Sequence, residues 1–150
     1  TIADPTSVFT GFTGHPDCID GSVTIDANKT CIATFDVSIQ PLTLSPIFPG
    51  LSNNLNVITA EGANPNDRVA FVWGFEAGTT VVGGNVCNGL ELGIKNIRLL
   101  GIGTTSSDQV AELVFFIPQL GDSSILILTQ AVNLTHCNSS EVVETRTRTQ

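Results

Sequence analysis

The sequence predicts an all-β protein, an antiparallel β-sandwich with an extended N-terminal strand segment. Short apolar or alternating runs follow one another through most of the chain, with turn residues at the spacing of a sandwich. No stretch holds a helical period of useful length. The 150 residues are 41% hydrophobic and only 13% charged, about half the usual charge of roughly a quarter. With a mean hydropathy of +0.26, the chain can build a core and lacks the charge that favours disorder.

The elements follow in order. Pro5, Gly11, Gly14 and Pro16 exclude a long helix at the start. Within that stretch Thr6–Phe12 has strand character, with Val8 and Phe12 on one side and Phe9 on the other. Gly14-His15-Pro16 sets this strand apart. It is either an edge strand of its own domain or a strand lent to a neighbouring molecule, with Val8, Phe9 and Phe12 as the assembly residues. Ser22–Ile39 reads as a hairpin, in which Val23 and Ile25 turn through Asp26–Lys29 into a return strand. Cys31, Ala33, Phe35, Val37 and Ile39 fall on one face of that strand. Pro41–Asn54 resembles a linker. Further strands are expected at Leu55–Thr59, Val69–Gly74, Thr79–Val82, Leu90–Ile94 and Ile97–Ile102. The closing segment Glu141–Gln150 alternates well and contains little that would be buried. The chain therefore divides into an N-terminal extension (1–21), a hairpin joined to the sandwich (22–40) and the sandwich with its C-terminal strand (41–150).

The stretch Glu112–Val132 stands out. Two apolar runs, Leu113–Ile117 and Ile125–Leu128, flank the polar turn Gln119–Ser124, which suggests a β-hairpin with a longer loop. Neither run alternates, whereas a surface hairpin should be apolar inside and polar outside. The hairpin needs cover on its second face. Val114, Phe116, Leu126 and Leu128 are the candidate interface residues.

The net charge of −8 and a pI near 4.4 argue against nucleic acid and anionic membranes as partners. No apolar run approaches the ~20 residues of a spanning helix. The start, TIADPTSVF, has the character of a mature chain and not of a signal peptide. Cys18, Cys31, Cys87 and Cys137 are even in number and lack the close pairs of a zinc site. Disulfides are the expected state. Three pairings exist, and joining neighbours gives Cys18–Cys31 and Cys87–Cys137, each stabilising by roughly 3–4 kcal/mol on the chain-entropy model. Sequons at Asn28, Asn133 and Asn138 point to the same extracellular compartment, as a secreted glycoprotein.

Chemistry is thinly supplied. Both histidines, His15 and His136, read as loop residues. No nucleophile elbow, zinc-protease helix or phosphate loop occurs, so a non-enzyme is expected. Asp17 and Asp20 before Gly21, and Asp108 and Asp122 in turns, could bind calcium from separate loops, although they form no EF-hand ladder. No other cofactor or metal is indicated. Trp73, the single tryptophan, is expected in the core.

From Leu42 to Val143 the sequence resembles an Ig-like β-sandwich module of uncharacterised secreted proteins from planctomycetes and myxobacteria. The matching residues are LSPIFPG (Leu44–Gly50), FVWGFEAGTT (Phe71–Thr80), CNGLELGIKNIRLLGIGTT (Cys87–Thr105), Ile117-Pro118 and TQAVNLTHCNSSEVV (Thr129–Val143). The resemblance implies an Ig-like sandwich and supports the Cys87–Cys137 bridge; it implies no activity. The chain departs from the pattern twice. The outer positions of Leu113–Ile117 and Ile125–Leu128 are apolar where such modules are more polar. A glycine expected just after Asp108 is replaced by Gln109.

Together these features predict a structural subunit of an extracellular filament, self-associating through apolar faces and strand donation. The alternative is an adhesin-like module that recognises a glycan or a surface protein.

Overall fold

A computed structural model describes residues 7–19, 22–24, 26–37, 40–119 and 124–149; of residues 7, 8, 36 and 37 it describes the backbone. The chain forms two compact units, Thr1–Ile39 and Gln40–Gln150.

The first unit is an antiparallel ribbon of β1 (Ser7–Gly14) and β2 (Cys31–Val37). A 3-10 turn at Pro16–Cys18 follows β1, and the Cys18–Cys31 disulfide ties it to the start of β2. This corrects the expected hairpin within 22–40, because β2 pairs with the N-terminal strand. The reason lies in the intervening loop. Lys29 Nζ donates to the carbonyl of Thr24 at 2.7 Å and pairs with Asp26 at 2.6 Å, so Thr24 and Asp26 gather around an ammonium group. A second correction concerns side-chain faces. The register shifts between Phe9 and Gly11, leaving Thr10 as the extra residue of a bulge. Phe9 lies opposite Phe35 and Phe12 opposite Ala33, which puts both aromatic rings on one face.

The second unit is an all-β sandwich. Its strands are β3 (Thr43–Leu44), β4 (Asn54–Glu61), β5 (Arg68–Gly74), β6 (Glu76–Val81), β7 (Glu91–Lys95), β8 (Arg98–Thr104), β9 (Val110–Ile117), β10 (Leu126–Asn133), β11 (Asn138–Ser139) and β12 (Val143–Arg146). One sheet has the order β3-β4-β9. The other runs β11-β10-β5-β8, with β12 also paired to β10. Ile58, Ala60, Ala111 and Ile117 from the first sheet pack against Val69, Phe71, Ile127 and Ala131 from the second.

The runs expected to form one hairpin therefore lie in opposite sheets: β9 pairs with β4, and β10 pairs with β5. Gly121 and Asp122, the middle of the expected turn, fall outside the described residues. The missing alternation has two separate causes. Strand β10 is central and covered on both faces. Ile127 and Ala131 enter the main core, while Val132 enters a second cluster with Ala70, Val72, Cys87 and Leu92. The β6–β7 ribbon and its loop supply that third layer. Buried Gln130 fastens it, accepting from the Gly93 amide at 3.0 Å and donating to the Ser140 carbonyl at 2.7 Å. Strand β9 is an edge strand with one covered face, on which Ala111 and Ile117 are buried.

The C-terminal segment is more buried than its composition suggests, because threonines do the work of aliphatic residues. Thr147 is 1% exposed and exchanges hydrogen bonds with the backbone of Ile125; Thr145 accepts from the Ile47 amide at 3.0 Å. Buried Asn56 holds the facing loop, accepting from the amides of Gly50 and Leu51 and donating to the carbonyls of Leu51 and Asn54. The Gly50 carbonyl and Ser52 amide then pair with the backbone of Arg148. One side of the sandwich is thereby laced shut.

Gln109 adopts the left-handed conformation that a glycine would favour, with φ 63°, in a tight turn closed by Ser106 and Val110. That conformation costs a residue with a side chain roughly 1–2 kcal/mol, partly offset by glycine's greater unfolded-state entropy, roughly 0.5–1 kcal/mol. Gln109→Gly should therefore stabilise the sandwich by up to about 1 kcal/mol in urea denaturation, and Gln109→Val should destabilise it. A glycine variant less stable than wild type would show that the Gln109 side chain itself contributes.

Candidate functional site

The other side of the sandwich is open. Strands β8 and β9 are the free edges of the two sheets, joined through the turn that contains Gln109. They approach closely near that turn because β8 carries glycine there: a Cβ at Gly101 would lie 2.8 Å from Leu113 Cδ1. Away from the turn lies an apolar cleft of ≈ 180 Å³, reached between Leu100 on one edge and Phe115, Phe116 and Pro118 on the other. Trp73 and Phe75 wall one end. Their rings meet edge to face at 5.0 Å, and the Arg98 guanidinium sits 5.8 Å over Trp73. Trp73 thus serves both as a core side chain, as expected, and as part of a rim.

Beside the cleft lies the outer face of the three-stranded sheet. Leu55 pairs directly with Phe116 and Val57 with Val114, and Phe48 bridges to Val57. Leu55, Phe116, Val114 and Phe48 are 61%, 55%, 53% and 75% exposed. Single exposed apolar residues are ordinary, but a contiguous patch on a sheet marks an interaction site. Phe116 belongs to both features, so ladder and cleft form one surface. Of the expected interface residues, Val114 and Phe116 lie here. Leu126 is half-buried in the opposite sheet, and Leu128, at 2% exposure, offers no surface at all. Leu55, Val57 and Phe48 escaped sequence reasoning, since only the β4–β9 register reveals that they extend the same patch.

A second exposed apolar feature belongs to the N-terminal unit. Phe9 contacts Phe12 at 4.9 Å and Phe35 at 5.5 Å between ring centroids, and all three rings are exposed by more than a third. Val8 pairs through its backbone with Asp36, and its side chain lies outside the description. Asp17 accepts a hydrogen bond from Lys29, which holds its carboxyl below the ordinary range and raises the lysine.

The remaining polar candidates take structural roles. His15 Nδ1 accepts from the Asp17 amide at the 3-10 turn. His136 lies 3.1 Å from Asn64 Nδ2 and 3.5 Å from the buried carboxylate of Asp67. Asp67, which sequence reasoning missed, also receives the Asn64 amide and the Asn133 side chain. The Asp108 amide donates to Ser106 Oγ within its turn, while Asp20 and Asp122 fall outside the described residues. Among the described residues no group of three or more His, Cys, Asp or Glu side chains could hold a metal. Both neighbour disulfides are formed, with Cα–Cα separations of 5.6 Å for Cys18–Cys31 and 5.0 Å for Cys87–Cys137. Such bridges belong to oxidising, extracellular environments.

The sequons differ sharply. Asn28 is exposed. Asn138 is half-buried, with its Oδ1 enclosed and without a hydrogen-bond partner among the described residues. Asn133 is 2% exposed, and its Nδ2, the atom a glycan would occupy, donates to Asp67 at 2.8 Å. Expression in a glycosylating host, followed by peptide mapping before and after deglycosylation, should place a glycan on Asn28 and none on Asn133 of the folded protein. A glycan found on Asn133 of folded material would contradict this packing.

The Asp17–Lys29 pair also sets a pH dependence. Asp17's folded pKa is depressed, so its contribution is present above the ordinary carboxylate value of 3.8 and lost as pH falls through the lowered one. Lys29 is raised, so its contribution holds below 10.5 and disappears at higher pH. The hydrogen-exchange protection factors of β1 and β2, taken relative to the intrinsic rate at each pH, should fall in acid below about pH 4, and Asp17→Asn should flatten that response.

No protein-family model and no curated protein matches the chain, so the geometry of the open side carries the functional reading.

Proposed function

We propose that the protein is a structural subunit of an extracellular filament or similar polymer, assembled through the open, apolar side of its sandwich. The observation that carries this is the continuity of the Leu55–Phe116 and Val57–Val114 ladder with the apolar cleft through Phe116. A free edge beside an exposed apolar sheet face is an aggregation hazard in a monomer, and a neighbouring copy removes it. Copies carrying a net charge of −8 repel one another. At ~0.1 M salt that repulsion fades beyond about 10 Å, leaving short-range apolar burial to decide association. Disulfides suit such an assembly to an oxidising exterior. The Ig-like likeness of Leu42–Val143 forms part of the same proposal.

The rim of the cleft favours a second reading, an adhesin-like module that recognises a glycan or a surface protein. Trp73 and Phe75 border a polar recess of ≈ 170 Å³ lined by Glu76, Lys95, Asn96 and Arg98, a mixture of flat apolar and hydrogen-bonding groups suited to a ligand.

Size-exclusion chromatography with electron microscopy separates the two. Wild-type protein at micromolar concentration should form elongated polymers, and Val114→Glu with Phe116→Glu should return it to monomer with an unchanged circular-dichroism spectrum. Each lost contact is worth about 1–2 kcal/mol, so the pair should weaken association by roughly 10–1,000-fold. A monodisperse wild-type monomer would sink the polymer reading and leave the binding module.

A further inference from the structure

We infer that the cleft between β8 and β9 is the acceptor for a phenyl ring carried on the N-terminal β1–β2 ribbon of a second copy. This rests on the self-assembly reading and names the partner of the same surface.

Size is the first argument. An apolar cavity of about 150 Å³ lined by Leu, Ile and Phe accommodates benzene. The cleft, at ≈ 180 Å³ and walled by Leu100, Phe115, Ile117 and Ile127, matches one aromatic side chain. The second argument is the state of the donor. The ribbon is a two-stranded sheet, an arrangement marginal by itself in water. The bulge at Thr10 gathers Phe9, Phe12 and Phe35 on one face, at 47%, 39% and 47% exposure. Rings that are already ordered and still half in water gain apolar burial on docking while losing little further freedom. Charge is the third argument. Residues 1–39 hold five aspartates and one lysine, a net of −4. At the cleft, Arg98 lies over Trp73 and has no carboxylate partner among the described residues. An acidic ribbon that seats a ring in the cleft would meet that cation.

Donor and acceptor are different patches of one chain. Such a head-to-tail contact leaves a free donor and a free acceptor at the two ends, so it propagates as an open fibre unless a ring closes.

The test uses the full chain with its disulfides intact. A donor-blocked variant, Phe9→Ser with Phe12→Ser and Phe35→Ser, and an acceptor-blocked variant, Leu100→Trp, should each be monomeric where wild type polymerises. Mixed in equal amounts they should form a dimer and stop, because one supplies only the cleft and the other only the ribbon. Should Leu100→Trp fail to fold, Arg98→Glu serves as the acceptor variant, since it lies on the surface. It should raise the concentration needed for polymerisation by about tenfold or more. The inference is overturned if the donor-blocked variant and Arg98→Glu both polymerise at the wild-type threshold. In that case Phe116→Glu still reports on assembly through the outer face. A monomeric wild type fails the broader reading and the inference together.

Discussion

Burial of β10 on both faces is the constraint on which the sandwich depends. The strand gives its hydrogen bonds to β5 along one edge and to β11 and β12 along the other. Its side chains feed two separate clusters. Fully burying an aliphatic side chain is worth about 1.5–3 kcal/mol, so Val132 would be a heavy liability without the β6–β7 ribbon and its loop packed against it. The polar residues of the strand are reconciled with burial by complete bonding. Gln130 reaches β7 and Ser140 at once, and Asn133 joins Asp67 to the Thr135 and His136 amides. Each bond spares an unmet polar group that would cost about 1–3 kcal/mol.

The two sides of the sandwich are closed by different chemistry. On one, residues 47–52 and 145–148 are laced together by backbone bonds and the hydroxyls of Thr145 and Thr147, with Asn56 shaping the loop. On the other, among the described residues, no hydrogen bond joins β8 to β9 beyond their connecting turn. Glycine in β8 lets the strands cross closely at that turn, and Leu100 faces Phe115 and Pro118 across the cleft. The same edge strand therefore supplies core on its inner face and a dry surface on its outer face. Leu55 and Val57 share that surface because antiparallel register puts directly opposed residues on one face.

The N-terminal unit answers a different problem. A ribbon of two strands has no interior, so covalent and ionic ties replace packing. The Cys18–Cys31 bridge closes a short loop, a constraint worth roughly 3 kcal/mol in the chain-entropy model. Lys29, its side chain 7% exposed between Asp17 and Asp26, organises the loop before β2. With the frame held this way, the aromatic face need not pack on its own unit to stay ordered.

The all-β class, the two neighbour disulfides and the positions of most strands were legible from local patterns. Runs of β-formers between Gly, Pro, Asn and Asp leave the backbone few alternatives, and cysteines close in sequence are entropically favoured to pair. The apolar character of Val114 and Phe116 was equally plain from composition. Pairing was not, because hydrogen-bonded partners come from distant sequence and local signals are silent about them. Cys31–Val37 looked ready to pair with Val23–Ile25 and takes β1 instead; Leu113–Ile117 and Ile125–Leu128 looked like one hairpin and face each other across a core. Two runs that are identically apolar by sequence thus differ in fate. Leu128 is buried, at 2% exposure, and Phe116 stands in water. Only the tertiary arrangement decides that, because burial depends on which element lies above a strand, and no residue carries that information alone.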